Sequence, residues 1–260
     1  MMKMLKRNGL ILFTSLLLVA CGTTDDNGDS DNIDENGAAE VVDETPNDLE
    51  ENWVQYLQEG NENLENYGSD TYIDVNTTVG PGLSDADQVM ITMYIEGELE
   101  KGYNVVDDQE LYFDGTDVYV LENGEWVHYP DEGPIEYPSW YPNIVNALSE
   151  IEDLVEADYS GDTVTLTYNG NDPEIWDAFE QEFALSIDGI ARENINIDLK
   201  ATMDDENYFL QNLVLDIVGS EKEGDVEVAN VSILVEADYY DHNEVDLSDV
   251  EENINEDVNN

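Results

Sequence analysis

The sequence has very few basic residues. Its 260 residues include 7 lysines and arginines against 64 aspartates and glutamates, for a formal net charge of -57. Three of the seven lie before residue 20, and the other four are Lys101, Arg192, Lys200 and Lys222. No cluster of positive charge can meet phosphate groups, which excludes nucleic acid as a partner. Attachment to an anionic lipid surface by charge alone is excluded for the same reason.

Cysteine and histidine are almost as scarce. The single cysteine, Cys21, leaves no possibility of an intramolecular disulfide. The two histidines, His128 and His242, do not have the HExxH or a comparable spacing, and the chain has no GxSxG motif or glycine-rich phosphate loop. Among 64 acidic residues some carboxylates must lie close together, and no pair stands out. We therefore predict no enzymatic activity, no metal and no cofactor.

The N-terminal apolar run is too short to span a membrane. Lys3, Lys6 and Arg7 form a basic region, and the uncharged stretch Gly9–Leu18 follows. This stretch has roughly ten residues, whereas a bilayer core requires about twenty. Residues 1–20 are therefore predicted to be a cleaved signal peptide.

The signal ends in Leu18-Val19-Ala20-Cys21, which resembles the bacterial lipobox. The resemblance implies that diacylglycerol is attached to the Cys21 sulfur and that cleavage leaves Cys21 as the first mature residue. It also implies an extracytoplasmic protein, lipid-anchored to the outer face of the cell membrane. The alternative is an ordinary secretory signal in which a cysteine occurs at this position by chance.

The acidity indicates the medium in which the protein works. Without residues 1–20 the chain has 4 basic and 64 acidic residues, a formal charge of 4 - 64 = -60. Such a charge destabilises a compact state unless salt screens it, and at molar salt the Debye length is about 3 Å. We interpret the protein as coming from a halophilic or haloalkaliphilic bacterium. Residues 21–47 contain no basic residue and few large apolar ones, so we expect a disordered acidic tether rather than a calcium loop, whose ligand spacing is absent.

One folded domain is predicted over residues 48–247, followed by an acidic C-terminal tail at 248–260. Apolar residues at three- and four-residue steps predict a first helix from Asp48 to Tyr67, closed by Gly68. Further helices are predicted at 143–156 and from Pro173, with an irregular proline-rich loop at 130–142. Alternating or apolar runs predict the remaining strands, at 72–79, 89–95, 103–106, 156–159, 163–168, 183–187, 195–203, 208–218 and 226–240.

The clearest local pattern is the hairpin DVYVLENGEWVHY. Asn123-Gly124 favours a type I′ turn, whose two central residues need positive φ. In that register Tyr119 faces His128, Leu121 faces Trp126, and Glu122 lies opposite Glu125. The last pair brings two like charges together, which strong brine would screen. The second histidine, His242, is expected to be solvated just beyond the last strand.

The order of these elements resembles the LolA/LppX-like lipoproteins. The stretches that carry the resemblance are the first helix, LYFDGTDVYVLENGEWVHY, NIVNALSEIEDLVEADYSGDTVTLTY and FALSIDGIARENINIDLKATM, which together cover roughly residues 50–245. The resemblance implies an α+β fold: a single, strongly curved antiparallel sheet (an open half-barrel) with helices packed across its concave face. It also implies that this concavity holds lipid acyl chains.

Candidate residues for a ligand cavity are apolar and aromatic side chains of the predicted helices, hairpin and proline-rich loop. They are Trp53, Tyr56, Leu57, Trp126, Trp140, Trp176 and Phe179. One interpretation is that some of them line a cavity for a lipid or other hydrophobic ligand. The alternative is that they fill the core, and that the protein is a non-catalytic envelope interaction or accessory module with a protein partner.

Overall fold

The computed structural model describes residues 46–79, 83–97, 101–106, 108–130, 140–187, 189–224 and 226–258. Cys21, nearly all of the predicted tether and most of the proline-rich loop lie outside the described residues. Within these ranges, no helix combines the length and the apolar character needed to cross a membrane.

The strands form one open antiparallel sheet. In the part of the chain that is described they are β1 (Asn66–Val79), β2 (Leu83–Glu96), β3 (Lys101–Val106), β4 (Gln109–Phe113), β5 (Val118–Glu122), β6 (Glu125–Tyr129), β7 (Glu156–Ser160), β8 (Thr163–Gly170), β9 (Ile195–Asp204), β10 (Leu210–Glu223) and β11 (Val226–Tyr240). Their order is β6-β5-β4-β3-β2-β1-β11-β10-β9-β8-β7, so β6 and β7 lie at the two edges. The predicted α+β class with a single curved antiparallel sheet is confirmed.

Three of the described helices pack against one face of this sheet. The described helices are α1 (Pro46–Glu51), α2 (Trp53–Asn63), α3 (Tyr141–Glu150), α4 (Pro173–Glu180) and α5 (Ser248–Val258), with two short 3₁₀ helices at Glu152–Leu154 and Arg192–Asn194. Helices α2, α3 and α4 pack on the face that we call the inner face. Strand β9 shows why: Ile195, Ile197 and Leu199 are buried under the helices, and the intervening polar side chains are exposed.

Local turn and capping signals place several elements as predicted. Asn123 and Gly124 have φ of 56° and 88°, and the β5–β6 register pairs Leu121 with Trp126 and Glu122 with Glu125. Helix α4 begins after Asp172, whose side chain accepts a hydrogen bond from the backbone N–H of Glu174. These elements depend on residues close together in sequence.

Two predicted elements are wrong because tertiary packing overrides the local pattern. The single helix predicted from Asp48 to Tyr67 is two helices, of which α2 ends at Asn63, and Tyr67 and Gly68 belong to β1. A Cβ on Gly68 would lie 2.5 Å from the ring of Tyr240, so the glycine permits close strand pairing rather than ending a helix. Residues 183–187 are turn and irregular structure instead of a strand, since Ala184 has a positive φ of 50°.

The acidic segment predicted at 248–260 includes helix α5, which spans residues 248–258. This helix lies on the outer face, the side of the sheet opposite α2, α3 and α4, and buries Ile254 there. It contacts edge strand β6, and the backbone N–H of Trp126 donates to Asp257 Oδ2 at 3.1 Å. At the other edge α1 contacts β7, where the backbone N–H of Tyr159 donates to Glu50 Oε1 at 2.9 Å.

Candidate functional site

Most of the inner face belongs to one core of buried side chains. Helices α2, α3 and α4 contribute to it together with inner-facing side chains from most strands, and we call it the main core. Five of the seven predicted cavity residues lie in it: Trp53, Tyr56, Leu57, Trp176 and Phe179, all buried. The structure therefore brings these five together as packing between helices and sheet.

Trp126 is separated from those five by the sheet itself. It lies opposite Leu121 on the outer face, where it packs with Tyr112 and Ile254 beneath α5. Trp126 is buried on the outer face because α5 packs over it, and the sequence pattern did not reveal this helix. Trp126 therefore does not share a cavity with the inner-face candidates.

Two cavities flank α5 on the outer face. One, of about 430 Å³, is lined by Trp126 and Leu121 on one side and by Glu256 and Asp257 of the helix on the other. The second, of about 290 Å³, lies between Tyr94, Tyr103 and the segment 241–250. Both have carboxylates in their walls and are open to solvent, so neither is the apolar, enclosed site predicted for a lipid tail.

Ion pairing and hydrogen bonds hold α5 beside these cavities. Lys101 Nζ lies 2.6 Å from Glu251 Oε1, and the hydroxyl of Tyr112 donates to the same oxygen at 2.8 Å. The hydrogen bond from Lys101, and then that from Tyr112, lowers the pKa of Glu251. These contacts attach the helix and leave Lys101 engaged on the outer face.

Trp140 lies in a small cluster apart from the main core. It packs with Ile91 and Met93, which point to the inner face from β2. Val89 and Val106 contact the edge of this cluster. The cluster gives Trp140 an apolar environment on the inner face, outside the main core.

Polar atoms without partners surround this cluster. Ser69 on β1 and Asn104 on β3 both lie opposite Met93 in the strand register, so all three side chains share the inner face. Ser69 is 0% exposed, Asn104 1% and Trp140 6%. In the described part of the chain, the Ser69 hydroxyl, both polar atoms of the Asn104 amide and the indole N–H of Trp140 make no hydrogen bond.

We call Ser69, Ile91, Met93, Asn104 and Trp140 the Trp140 site. Leaving a buried donor or acceptor unpaired is costly, and buried polar groups in native proteins nearly always have a partner. Three such residues lie beside two buried apolar side chains, and apolar side chains combined with a few polar groups that lack partners are also the character of small-molecule sites.

A network of tyrosines fixes Trp140 at this place. The backbone N–H of Tyr141, the first residue of α3, donates to the Tyr67 hydroxyl at 3.2 Å, and the backbone N–H of Leu210 donates to the Tyr141 hydroxyl at 2.6 Å. Burial raises the pKa of both tyrosines, so their hydroxyls remain neutral. The start of α3, and with it Trp140, is thereby tied to β1 and β10.

Both histidines make contacts with aromatic rings. His128 stacks on Tyr119 at 4.9 Å and lies 2.6 Å from Asp117, which confirms the predicted cross-strand pairing. His242 is not simply solvated: it stacks on Phe209 at 4.7 Å, and its Nε2 lies 3.1 Å from the carbonyl of Leu210. Burial lowers the pKa of His242. Within the described ranges, no group of three or more metal-ligating side chains is close enough to hold a metal ion.

Sequence reasoning missed Ser69 and Asn104. Ser69 was missed because the helical spacing was extended through Tyr67 and Gly68, which hid the start of β1. Asn104 carried a usable signal, since it is the polar residue at an inward position between Gly102 and Val106 on the same face of β3. A polar residue inside an apolar alternation is a reason to look for a partner.

No protein-family model and no curated protein matches the chain. Similar solved structures include a LolA superfamily protein from Nitrosomonas europaea, with 11% identity, 75% of this chain and 94% of that chain covered, and a TM-score of 0.25. LprF from Mycobacterium bovis is another, with 16% identity, 70% and 90% covered, and a TM-score of 0.33. The superfamily suggested by the sequence is thus among the structural neighbours. At TM-scores this low, the likenesses carry no information on the ligand.

Proposed function

We propose that this protein binds an amphiphilic ligand at the Trp140 site. The observation that carries the proposal is the set of buried polar atoms without partners on Ser69, Asn104 and Trp140, placed around apolar Ile91 and Met93. A ligand with an apolar body would pack against Ile91 and Met93, and its polar group would supply the missing hydrogen bonds. Of the seven cavity candidates predicted from the sequence, Trp140 is the one that this proposal retains.

The binding takes place outside the cytoplasm, with the protein anchored to the membrane by lipid on Cys21, in a medium of high salt. The lipobox resemblance and the charge of -60 (4 - 64) on the mature chain support these parts of the proposal. Two acyl chains on one cysteine suffice for stable anchoring. Treatment of the producing cells with globomycin tests the anchor: accumulation of uncleaved precursor supports it, and unlipidated mature protein contradicts it.

Quenching of tryptophan fluorescence tests the binding site. A lipid with bromine atoms on its acyl chain quenches only the tryptophans that it approaches closely. The full chain, titrated in molar salt, is expected to lose fluorescence in proportion to the bound lipid. Trp140→Phe should remove most of this quenching, whereas the matched variant Trp126→Phe, which alters the outer face, should retain it. Absence of quenching in the unmodified protein, or equal quenching in both variants, would contradict the proposal.

The filled main core supports a second candidate function, a non-catalytic envelope module that binds another protein. Five predicted cavity residues are packed there as in an ordinary core. Crosslinking in intact cells, followed by identification of the crosslinked chains, tests this candidate. A specific crosslinked partner, together with no quenching by brominated lipid, would favour this second function over ligand binding.

A further inference from the structure

The Trp140 site contains hydrogen-bonding groups but no charge. A serine hydroxyl both donates and accepts, an asparagine amide offers two donors and one acceptor oxygen, and an indole N–H only donates. Ile91 and Met93 add apolar surface. Ser69 and Asn104 stand on either side of Met93, two strand spacings or about 10 Å apart. The site therefore presents neutral donors and acceptors at both sides of an apolar centre.

In the part of the chain that the structure describes, no basic residue is available to this site. Lys101 of β3 lies opposite Glu96 of β2, and its side chain is on the outer face, as is that of Tyr103 two residues later. There Lys101 pairs with Glu251 of α5. Arg192 pairs with Asp177 and Glu180 of α4. Lys200 of β9 and Lys222 of β10 are each next to an inward-facing residue along the strand, so both point to the outer face.

An anionic group at the Trp140 site would therefore be buried without a countercharge, inside a chain of strongly negative net charge. Burying an unpaired charge costs far more than burying a hydrogen-bonded neutral group. A cationic group meets the corresponding difficulty, because the five residues of the site include no carboxylate.

We propose that the polar part of the ligand is uncharged, and that Ser69, Asn104 and Trp140 bind it through hydrogen bonds alone. Hydroxyl, ester and amide groups match this set of donors and acceptors. The ligand is thus a nonionic amphiphile, such as a lipid whose polar end carries hydroxyls. This inference rests on the proposed function and specifies its ligand class.

Three amphiphiles with the same alkyl length separate charge from chain length: 1-monolauroylglycerol, laurate and dodecyltrimethylammonium. Each competes with the brominated lipid for the full chain in molar salt, where long-range repulsion and attraction are screened. Monolauroylglycerol is expected to displace the lipid at a concentration roughly tenfold lower than either charged compound requires. Equal or stronger displacement by laurate or the ammonium compound would overturn the inference while leaving ligand binding intact. If the brominated lipid itself does not bind, the proposed function fails.

A substitution then tests the assigned residues. Asn104→Leu keeps the branching and the number of heavy atoms of the side chain and removes the amide, so the affinity for monolauroylglycerol is expected to fall roughly tenfold. Asn196→Leu makes the same change at an exposed position of β9 and serves as the control, with unchanged affinity expected. Ser69→Ala is the second variant, should Asn104→Leu fail to fold, and should also weaken binding. Unchanged affinity and unchanged discrimination in a folded variant would overturn the inference.

Discussion

The main core and the Trp140 site differ in whether their buried polar groups are hydrogen-bonded. In the main core, the Tyr67 and Tyr141 hydroxyls are both engaged, each accepting a backbone N–H. At the Trp140 site, Ser69 and Asn104 are as deeply buried, yet their side-chain polar atoms have no partner in the described part of the chain. Burial by itself therefore does not identify a ligand site. The unsatisfied polar groups distinguish the two regions.

A substitution in α4 tests whether the main core is closely packed. Phe179 of α4 is 2% exposed, and Phe179→Ala should lower the free energy of unfolding by about 3–5 kcal/mol, because it removes a ring and leaves a cavity. Denaturant titration in molar salt measures it. Met90→Ala, at a half-exposed position, should change stability by less than about 0.5 kcal/mol. A similar small effect for Phe179→Ala would mean that this region is loosely packed.

Removal of one hydroxyl tests the satisfied network. Tyr141→Phe keeps the ring but leaves the Leu210 N–H without its acceptor, so stability should fall by about 1–3 kcal/mol. The same denaturant titration applies. Tyr129→Phe serves as control, because its hydroxyl donates to Glu122 at an exposed position and should matter little. Equal effects of the two substitutions would show that burial of the Tyr141 network contributes nothing.

The corresponding change at the Trp140 site should have the opposite sign. Asn104→Leu replaces an unsatisfied buried amide by an apolar side chain with the same branching and the same number of heavy atoms, so the ligand-free protein should be unaffected or stabilised by up to about 1 kcal/mol. Delipidated protein is required for the measurement. A loss above about 1 kcal/mol would show that the Asn104 amide is structural, and the contrast between the two regions would disappear.

His242 should make the stability of the protein depend on pH. Its ring contacts Phe209 and the Leu210 carbonyl. Burial lowers its pKa from 6.5, so the unfolded chain binds the proton more readily than the folded chain. Stability from this residue is complete above pH 6.5 and is lost as the pH falls below it. The free energy of unfolding, measured by denaturant titration at each pH from 8 to 5, should therefore fall more steeply for the unmodified protein than for His242→Gln. Parallel curves would refute this assignment.

The smallest expected effect concerns the exposed end of the β5–β6 hairpin. Glu125→Gln removes one charge from the Glu122–Glu125 pair and should raise stability by about 0.5 kcal/mol in dilute buffer. In molar salt the gain should vanish. Glu156→Gln controls for the general loss of negative charge, since Glu156 lies opposite Thr167. If both substitutions stabilise equally, the cross-strand pair has no specific effect.

Features encoded by neighbouring residues could be predicted from the sequence, and those that depend on distant contacts could not. The Asn123-Gly124 hairpin and the Asp172-Pro173 helix start are determined within a few residues, and both are found as expected. Tyr67 continued a helical spacing by coincidence, and its strand is set by pairing with β2 and β11. Trp126 was assigned to a shared cavity because the acidic composition of residues 248–258 concealed an amphipathic helix on the outer face.

The terminal helices of the folded domain also determine how neighbouring copies meet. An edge strand offers its backbone N–H groups to a strand of another molecule, which is a common route to aggregation. Here Glu50 of α1 and Asp257 of α5 each accept such an N–H, one from β7 and one from β6. Negative side chains thus occupy bonding positions at both edges, where they also repel the same edges of other copies. Molecules crowded together on one surface are thereby kept from extending each other's sheets.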